Sequence, residues 1–211
     1  MASKIEICNL ALNRIAANTI VSLDEGTQSA RAVALVYDTT LAEMLETHHW
    51  NFARTRRTLS RLTVTDNELP PEWAFAYALP ADMGKFMYFE GQGITTAWPV
   101  ENGEYRSATG YTRWPRSAHE IIGDRIFSNS DDGIAIYTAR ITDTAKFTAA
   151  FTNTFIEALA AKLIMPIKGD ERRYLALKDS ANRELNMAIA WDLNNQDMVI
   201  TSRSTFEQAR Y

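Results

Sequence analysis

Three histidines, one cysteine, a few adjacent carboxylates and a cluster of arginines are the residues in this 211-residue chain whose types could do chemistry. His48 and His49 are adjacent near the end of a helical pattern, where neighbours point about 100° apart. One metal ion cannot easily take both rings, and no third ligand stands four residues on. One ring is therefore expected to pack at the helix end and the other to face water. His119 has no serine, cysteine or acid in a recognisable nucleophile order, and the chain lacks G-x-S-x-G, a P-loop and G-x-G-x-x-G. Cys8 falls on the apolar face of the first helical pattern, the place of a buried, inert thiol. Asp131 with Asp132, and Asp24 with Glu25, stand in turn-like contexts with no sign of the unequal surroundings that acid–base pairs need. The expectation is no catalytic group, no metal and no cofactor.

Arg54, Arg56, Arg57 and Arg61 carry more weight. On an extended strand Arg54 and Arg56 share one face, and Arg57 and Arg61 share the other, so two modest basic surfaces result. Three uses stay open. The guanidinium forks can pair with acids across a subunit interface or contact DNA phosphates. Alternatively, they guard a solvated edge strand against stray pairing. The net charge of −4, from 22 basic and 26 acidic residues, gives no general drive toward nucleic acid. A single cysteine excludes an intrachain disulfide and suits a reducing compartment. The N-terminus lacks a signal-peptide pattern, and no stretch is expected to approach the roughly 20 apolar residues of a membrane span.

These residues are held by a helix–strand–helix order. Ser3-Lys4-Ile5-Glu6 has capping-box spacing and opens a helix with Ile5, Cys8, Leu12 and Ile15 on one face. A second helix from about Thr27 carries Ala30, Val33, Tyr37, Leu41, Met44 and Leu45 as a stripe, and the pair is expected to pack antiparallel. From Trp50 to about Tyr137 the period shifts toward two. Strands are predicted at Phe52–Val64, Trp73–Ala78, Lys85–Glu90, Glu104–Tyr111, His119–Ile122, Arg125–Asn129 and Ile134–Ile141, with a turn at Gly123-Asp124. Asp143 is placed to cap a third helix that Pro166 and Gly169 stop. A fourth begins near Asp170 with Tyr174, Leu177, Ala181, Leu185, Ala188 and Trp191 inward. Periodicity fades from about Leu193.

The predicted fold class is α+β: two N-terminal and two C-terminal helices forming a bundle, with a central antiparallel β insertion. The expected organisation is a discontinuous helical domain (1–50 and 143–193), a β-rich insertion (51–142) and an extended C-terminal tail (194–211). Trp50 and Phe52 form a structural corner where helix meets strand. Tyr105, Tyr111, Trp114 and Phe127 are expected either in the insertion's own core or at a subunit contact.

Four landmarks, in order and spacing, resemble the head-to-tail adaptor (tail tubular protein A) family of short-tailed bacteriophages and related connector proteins, over about Lys4 to Asn195. They are His49-Trp50-Asn51-Phe52-Ala53 with the following arginines, although relatives often carry proline where His49 stands; Trp73 through Tyr77 to Leu79-Pro80-Ala81-Asp82; Tyr137-Thr138-Ala139-Arg140-Ile141-Thr142-Asp143; and Phe155-Ile156-Glu157-Ala158-Leu159 through Leu163 to Pro166. The resemblance implies a virion structural protein, not an enzyme. It would form a ring, typically dodecameric, between the phage portal protein and the tail nozzle protein, with DNA as passing cargo and no membrane. It would assemble in the host bacterial cytoplasm and reside in the virion neck. In that setting the four arginines, together with Met198, Ile200 and Phe206 of the tail, become interface candidates, and the tail is expected to order on docking. The alternatives are a phage DNA-binding protein using the Arg54–Arg61 strand and a tail-completion protein.

Overall fold

The computed structural model describes residues 2–64, 69–91 and 118–195, and its α+β architecture is the one the pattern predicts. Helix α1 (Lys4–Arg14) starts with the expected reciprocal cap: Ser3 Oγ accepts from the Glu6 N–H while the Glu6 carboxylate accepts from the Ser3 N–H. Helix α2 (Gln28–Thr47) is capped by Thr27, and α4 (Glu171–Asn194) by Asp170. Asp143 caps only a 3₁₀ turn (Thr144–Lys146), whereas α3 (Ala149–Lys168) begins after Thr148, whose hydroxyl accepts from the Phe151 N–H. A hydroxyl five residues downstream therefore takes the role assigned to the aspartate.

Pro166 does not stop α3. It lies inside the helix, which runs on to Lys168 and ends at Gly169 in the left-handed region (φ 65°). A proline that close to the end removes only one late backbone bond, and the glycine supplies the terminating conformation. Helix α4 likewise runs past Leu193 to Asn194, so the predicted tail boundary at 194 falls one residue inside a helix. Residues 196–211, including Met198, Ile200 and Phe206, lie outside the described residues, as do the predicted strand Glu104–Tyr111 and the aromatics Tyr105, Tyr111 and Trp114.

Helix α3 is the centre of the bundle. Helices α1, α2 and α4 each pack chiefly against it, so α1 and α2 do not form the self-contained antiparallel pair expected of them. The reason is composition: Phe151, Phe155, Leu159, Ala160, Leu163 and Ile164 are all buried, covering more than one face. By length and apolar composition α3 also passes for a membrane span, contrary to the sequence reading. More than half of its apolar window is buried inside the fold, as befits a central core helix.

The β region divides into two antiparallel sheets. One has the order β1 (Arg54–Thr58), β7 (Gly133–Ala139), β4 (Met83–Gly91); the other has β2 (Arg61–Leu62), β3 (Phe75–Ala78), β6 (Arg125–Ser128), β5 (His119–Ile122). The single strand predicted over Phe52–Val64 is thus a 3₁₀ turn (Asn51–Ala53) and two strands in different sheets. The switch is at Leu59-Ser60: the Leu59 N–H donates to Gly133 O of the first sheet and Ser60 O accepts from the Ala78 N–H of the second. Leu59 is buried between them with Tyr77, Phe89, Ile126 and Tyr137. Phe127 is buried as well, at 3% exposure, but is not part of that cluster.

Gly133, the first residue of β7, faces one ring from each sheet, Phe89 and Tyr77. A Cβ there would lie 2.9 Å from both the Phe89 and Tyr77 rings. Gly133→Ala is expected to cost about 1–3 kcal/mol by overpacking, measured by urea unfolding of the purified chain.

Candidate functional site

The corner between α2 and β1 is where the helical core, the first sheet and the end of α4 converge. Thr47 closes α2, and His48 leaves it in extended conformation (φ −138°, ψ 157°). Trp50 then turns inward to 1% exposure. Its indole N–H donates to Met44 O at 2.8 Å, and its ring stands edge-on to Phe151 (5.0 Å between centroids) and His48 (5.1 Å). Phe52 packs on Phe151 at 4.9 Å and on Phe147 at 5.9 Å. Trp50 and Phe52 are therefore anchors of the corner, the role the sequence suggests for them.

The group that locks this corner is one the sequence reading passed over. Asp192, 3% exposed, points inward from the last turn of α4. Its carboxylate lies 3.0 Å from His48 Nε2 and accepts from the Asn51 N–H, while its carbonyl accepts from Asn51 Nδ2 at 2.8 Å. The apolar stripe Tyr174, Leu177, Ala181, Leu185, Ala188 continues equally well three or four residues on, to Trp191 or Asp192. Hydrophobicity favours Trp191, but the carboxylate takes the inner place because it satisfies the backbone donor of Asn51. Trp191 is left 53% exposed. A buried carboxylate beside a predicted aromatic is a signal periodicity alone does not raise. Spotting it requires asking which partner satisfies the chain where α2 ends.

Neither histidine faces water freely, contrary to the expectation for one of them. His49 Nδ1 is 3.2 Å from Thr138 Oγ1 on β7. Burial, and then the nearby Lys85, His48 and Arg54, hold the His49 imidazole below its ordinary pKa. A histidine whose pKa is lowered on folding binds fewer protons native than unfolded as pH falls below about 6.5, so its contribution is present above that pH and is lost on acidification. The Tm difference between wild type and His49→Gln should therefore shrink from about pH 7.5 to about pH 5.5, as read by scanning calorimetry at each pH. Further ties join helix to sheet: Lys85 Nζ donates to Thr47 O at 3.2 Å, in the last turn of α2, and Arg140 pairs with Glu46 at 3.4 Å.

All four arginines are engaged within the chain. As the alternation predicts, Arg54 and Arg56 share a face: they reach past β7 to β4, Arg54 to the Tyr88 hydroxyl and Arg56 to the buried Glu90, each at 3.0 Å. Arg57 pairs with Asp82, which also accepts from the Tyr137 hydroxyl at 2.9 Å. That bond and burial raise the Tyr137 pKa to about 12, burial being the larger cause. Arg61 belongs to the other sheet, where it meets Asp131 at 2.9 Å and covers the Phe75 ring. Arg57 and Arg61 therefore do not share a face as expected, because the chain changes sheets between them, and the four arginines form no continuous phosphate-binding stripe. Asp82, Glu90 and Asp131 were the missed partners. Asp82 closes the Leu-Pro-x-Asp landmark, and its ion pair gives that landmark a physical reason.

Cys8 is buried in the helical core, and desolvation raises its thiol pKa to about 11, which makes it a poor nucleophile. Among the described residues no group of three or more His, Cys, Asp and Glu side chains could hold a metal ion. The sequence matches no protein-family model and no curated protein.

Proposed function

We propose that the chain is a head-to-tail adaptor subunit of a short-tailed phage, a structural part that performs no bond-making. It tiles into a ring between portal and tail nozzle in the virion neck, around the DNA channel. A head-to-tail ring requires each subunit to offer two different complementary faces. The observation that supports this reading best is that large apolar side chains stand exposed on several different elements. On α4, Met187 and Trp191 stand one turn apart at 57% and 53% exposure, and elsewhere Leu10 of α1, Leu35 of α2 and Ile122 of β5 are 42%, 79% and 48% exposed. The corner fastened by Asp192 is compatible with the same role, because a ring subunit must hold its contact faces at a fixed angle.

The DNA-binding alternative draws no support from the arginines, whose charges are met by Glu90, Asp82 and Asp131 and, for Arg54, by a tyrosine hydroxyl. The test is co-sedimentation with the cognate portal ring. Wild type is expected to sediment with it. Trp191→Glu and a chain lacking residues 196–211 should keep the wild-type Tm and stay in the supernatant. If both variants sediment like wild type, the proposed faces are wrong.

A further inference from the structure

The helical core and the cluster around Leu59, Tyr77 and Phe89 are separate, and of the described apolar side chains Ile141 alone packs against both. What else joins them beside the end of α2 is polar. Lys85 Nζ donates to Thr47 O, Arg140 pairs with Glu46, and His49 Nδ1 meets Thr138 Oγ1.

The strand register sets Thr138 between two cations. On one side it stands opposite Arg54 of β1 and on the other opposite Lys85 of β4, so a row across the sheet runs Arg54, Thr138, Lys85, and the His49 ring rests on its middle. Side chains in such a row share one face of the sheet. A charged imidazole would be a third cation there, on a half-buried ring, and both the like charges and the burial oppose it. Among the described residues, the carboxylates around the corner are committed elsewhere. Glu46 of α2 is paired with Arg140, Glu90 on the same face of β4 with Arg56, and Asp82 lies on the opposite face with Arg57 and Tyr137. His48 has the reverse surroundings: its Nε2 is 3.0 Å from Asp192 of α4, so a proton on that ring is met by a carboxylate.

We infer that this junction is an acid-loosened hinge: a proton taken up by His49 lets the first sheet swing away from the end of α2, while α4 holds to the corner through His48 and Asp192. The ring takes the proton readily only where the junction is open and water replaces the row of cations, so acid draws the open form out. An ordinary histidine titrates near pH 6.5, which sets a ceiling: at about pH 5.5 linkage enriches the open form by at most about tenfold over about pH 7.5. The hinge belongs to the free chain and is independent of ring assembly.

The test is ¹⁵N relaxation dispersion on the full chain at about pH 7.5 and about pH 5.5. Amides of Thr47, Lys85 and Thr138 should fit one two-state exchange whose minor population rises by up to about tenfold between the two conditions, while those of α1 and of Ala188 to Asp192 stay flat. In His49→Gln, which retains a polar group for Thr138, the population should stay at the wild-type value for about pH 7.5 under both conditions. A wild-type population that does not change with pH, one that rises equally in His49→Gln, or exchange that spreads into α1 and the last turn of α4 would overturn the hinge. The wild-type series decides alone if the variant fails to fold. Portal co-sedimentation near neutral pH does not depend on any of these outcomes, so the adaptor reading stands or falls separately.

Discussion

Trp50→Ala is expected to destabilise the chain by about 3–5 kcal/mol, the largest effect of any single substitution proposed for it. The indole is 1% exposed, meets Phe151, His48 and Phe52 with its ring, and satisfies the Met44 carbonyl in the last turn of α2. Truncation opens a cavity and leaves a carbonyl near a helix end without its partner. Because most domains have only about 5–15 kcal/mol in hand, urea unfolding should show a sharply lower midpoint. Trp50→Phe separates the two causes. It keeps an aromatic ring against Phe151 and removes only the indole N–H and part of the volume, so it should cost clearly less. Equal losses for both variants would place the energy in the hydrogen bond and contradict the packing account.

The second large effect is expected at Asp192. Its carboxylate is the acceptor for His48 and for the Asn51 backbone, and its main chain accepts from the Asn51 side chain. Asp192→Ala leaves a half-buried imidazole and the part-buried Asn51 N–H unpaired, and should cost about 3 kcal/mol. The loss should be local as well as global. Amides from Ala188 to Asn194 should exchange with solvent much faster in the variant, while those of α1 keep wild-type protection. Asp192→Asn, with the same shape and one acceptor oxygen retained, should fall between wild type and alanine. If Asp192→Ala changes stability by less than about 0.5 kcal/mol, the carboxylate is not what fastens α4 to the corner.

The contrast between Trp50 and Asp192 shows what could be read from residues alone. Trp50 was legible because a large aromatic at a helix end with no glycine or proline after it has to be buried, and burial needs no knowledge of the partner. Asp192 was not, since its value depends on a backbone N–H 141 residues away that only the folded chain brings near. The same distinction runs through the fold. The Ser3–Glu6 cap, the Gly123 turn and the core stripe of α2 are local and were predictable. The break of Phe52–Val64 into two strands was not, because nothing between Leu59 and Arg61 interrupts the pattern. The chain changes sheets there by exchanging Gly133 O for the Ala78 N–H as its hydrogen-bonding partner. Pro166 misled for a related reason: its effect depends on how many helical bonds follow it, and Gly169 had already fixed that number.

The arginines illustrate a further limit. Alternation along the strand correctly separated Arg54 and Arg56 from Arg57, but the acids that meet them lie 25 to 70 residues away in sequence. Until those partners are known, a solvated strand, a DNA contact and an interface are the same pattern. With Glu90, Asp82 and Asp131 in place, Arg56, Arg57 and Arg61 have their charges met within the insertion.

The adaptor reading is tested most directly by electron microscopy of the purified chain mixed with its cognate portal. The account predicts an added ring of subunits beneath the portal, with each copy's α4 face carrying Met187 and Trp191 against its neighbour. Portal particles without added density at subunit concentrations well above those of the portal, or a ring in which Met187, Trp191, Leu10 and Leu35 all remain exposed to solvent, would contradict it.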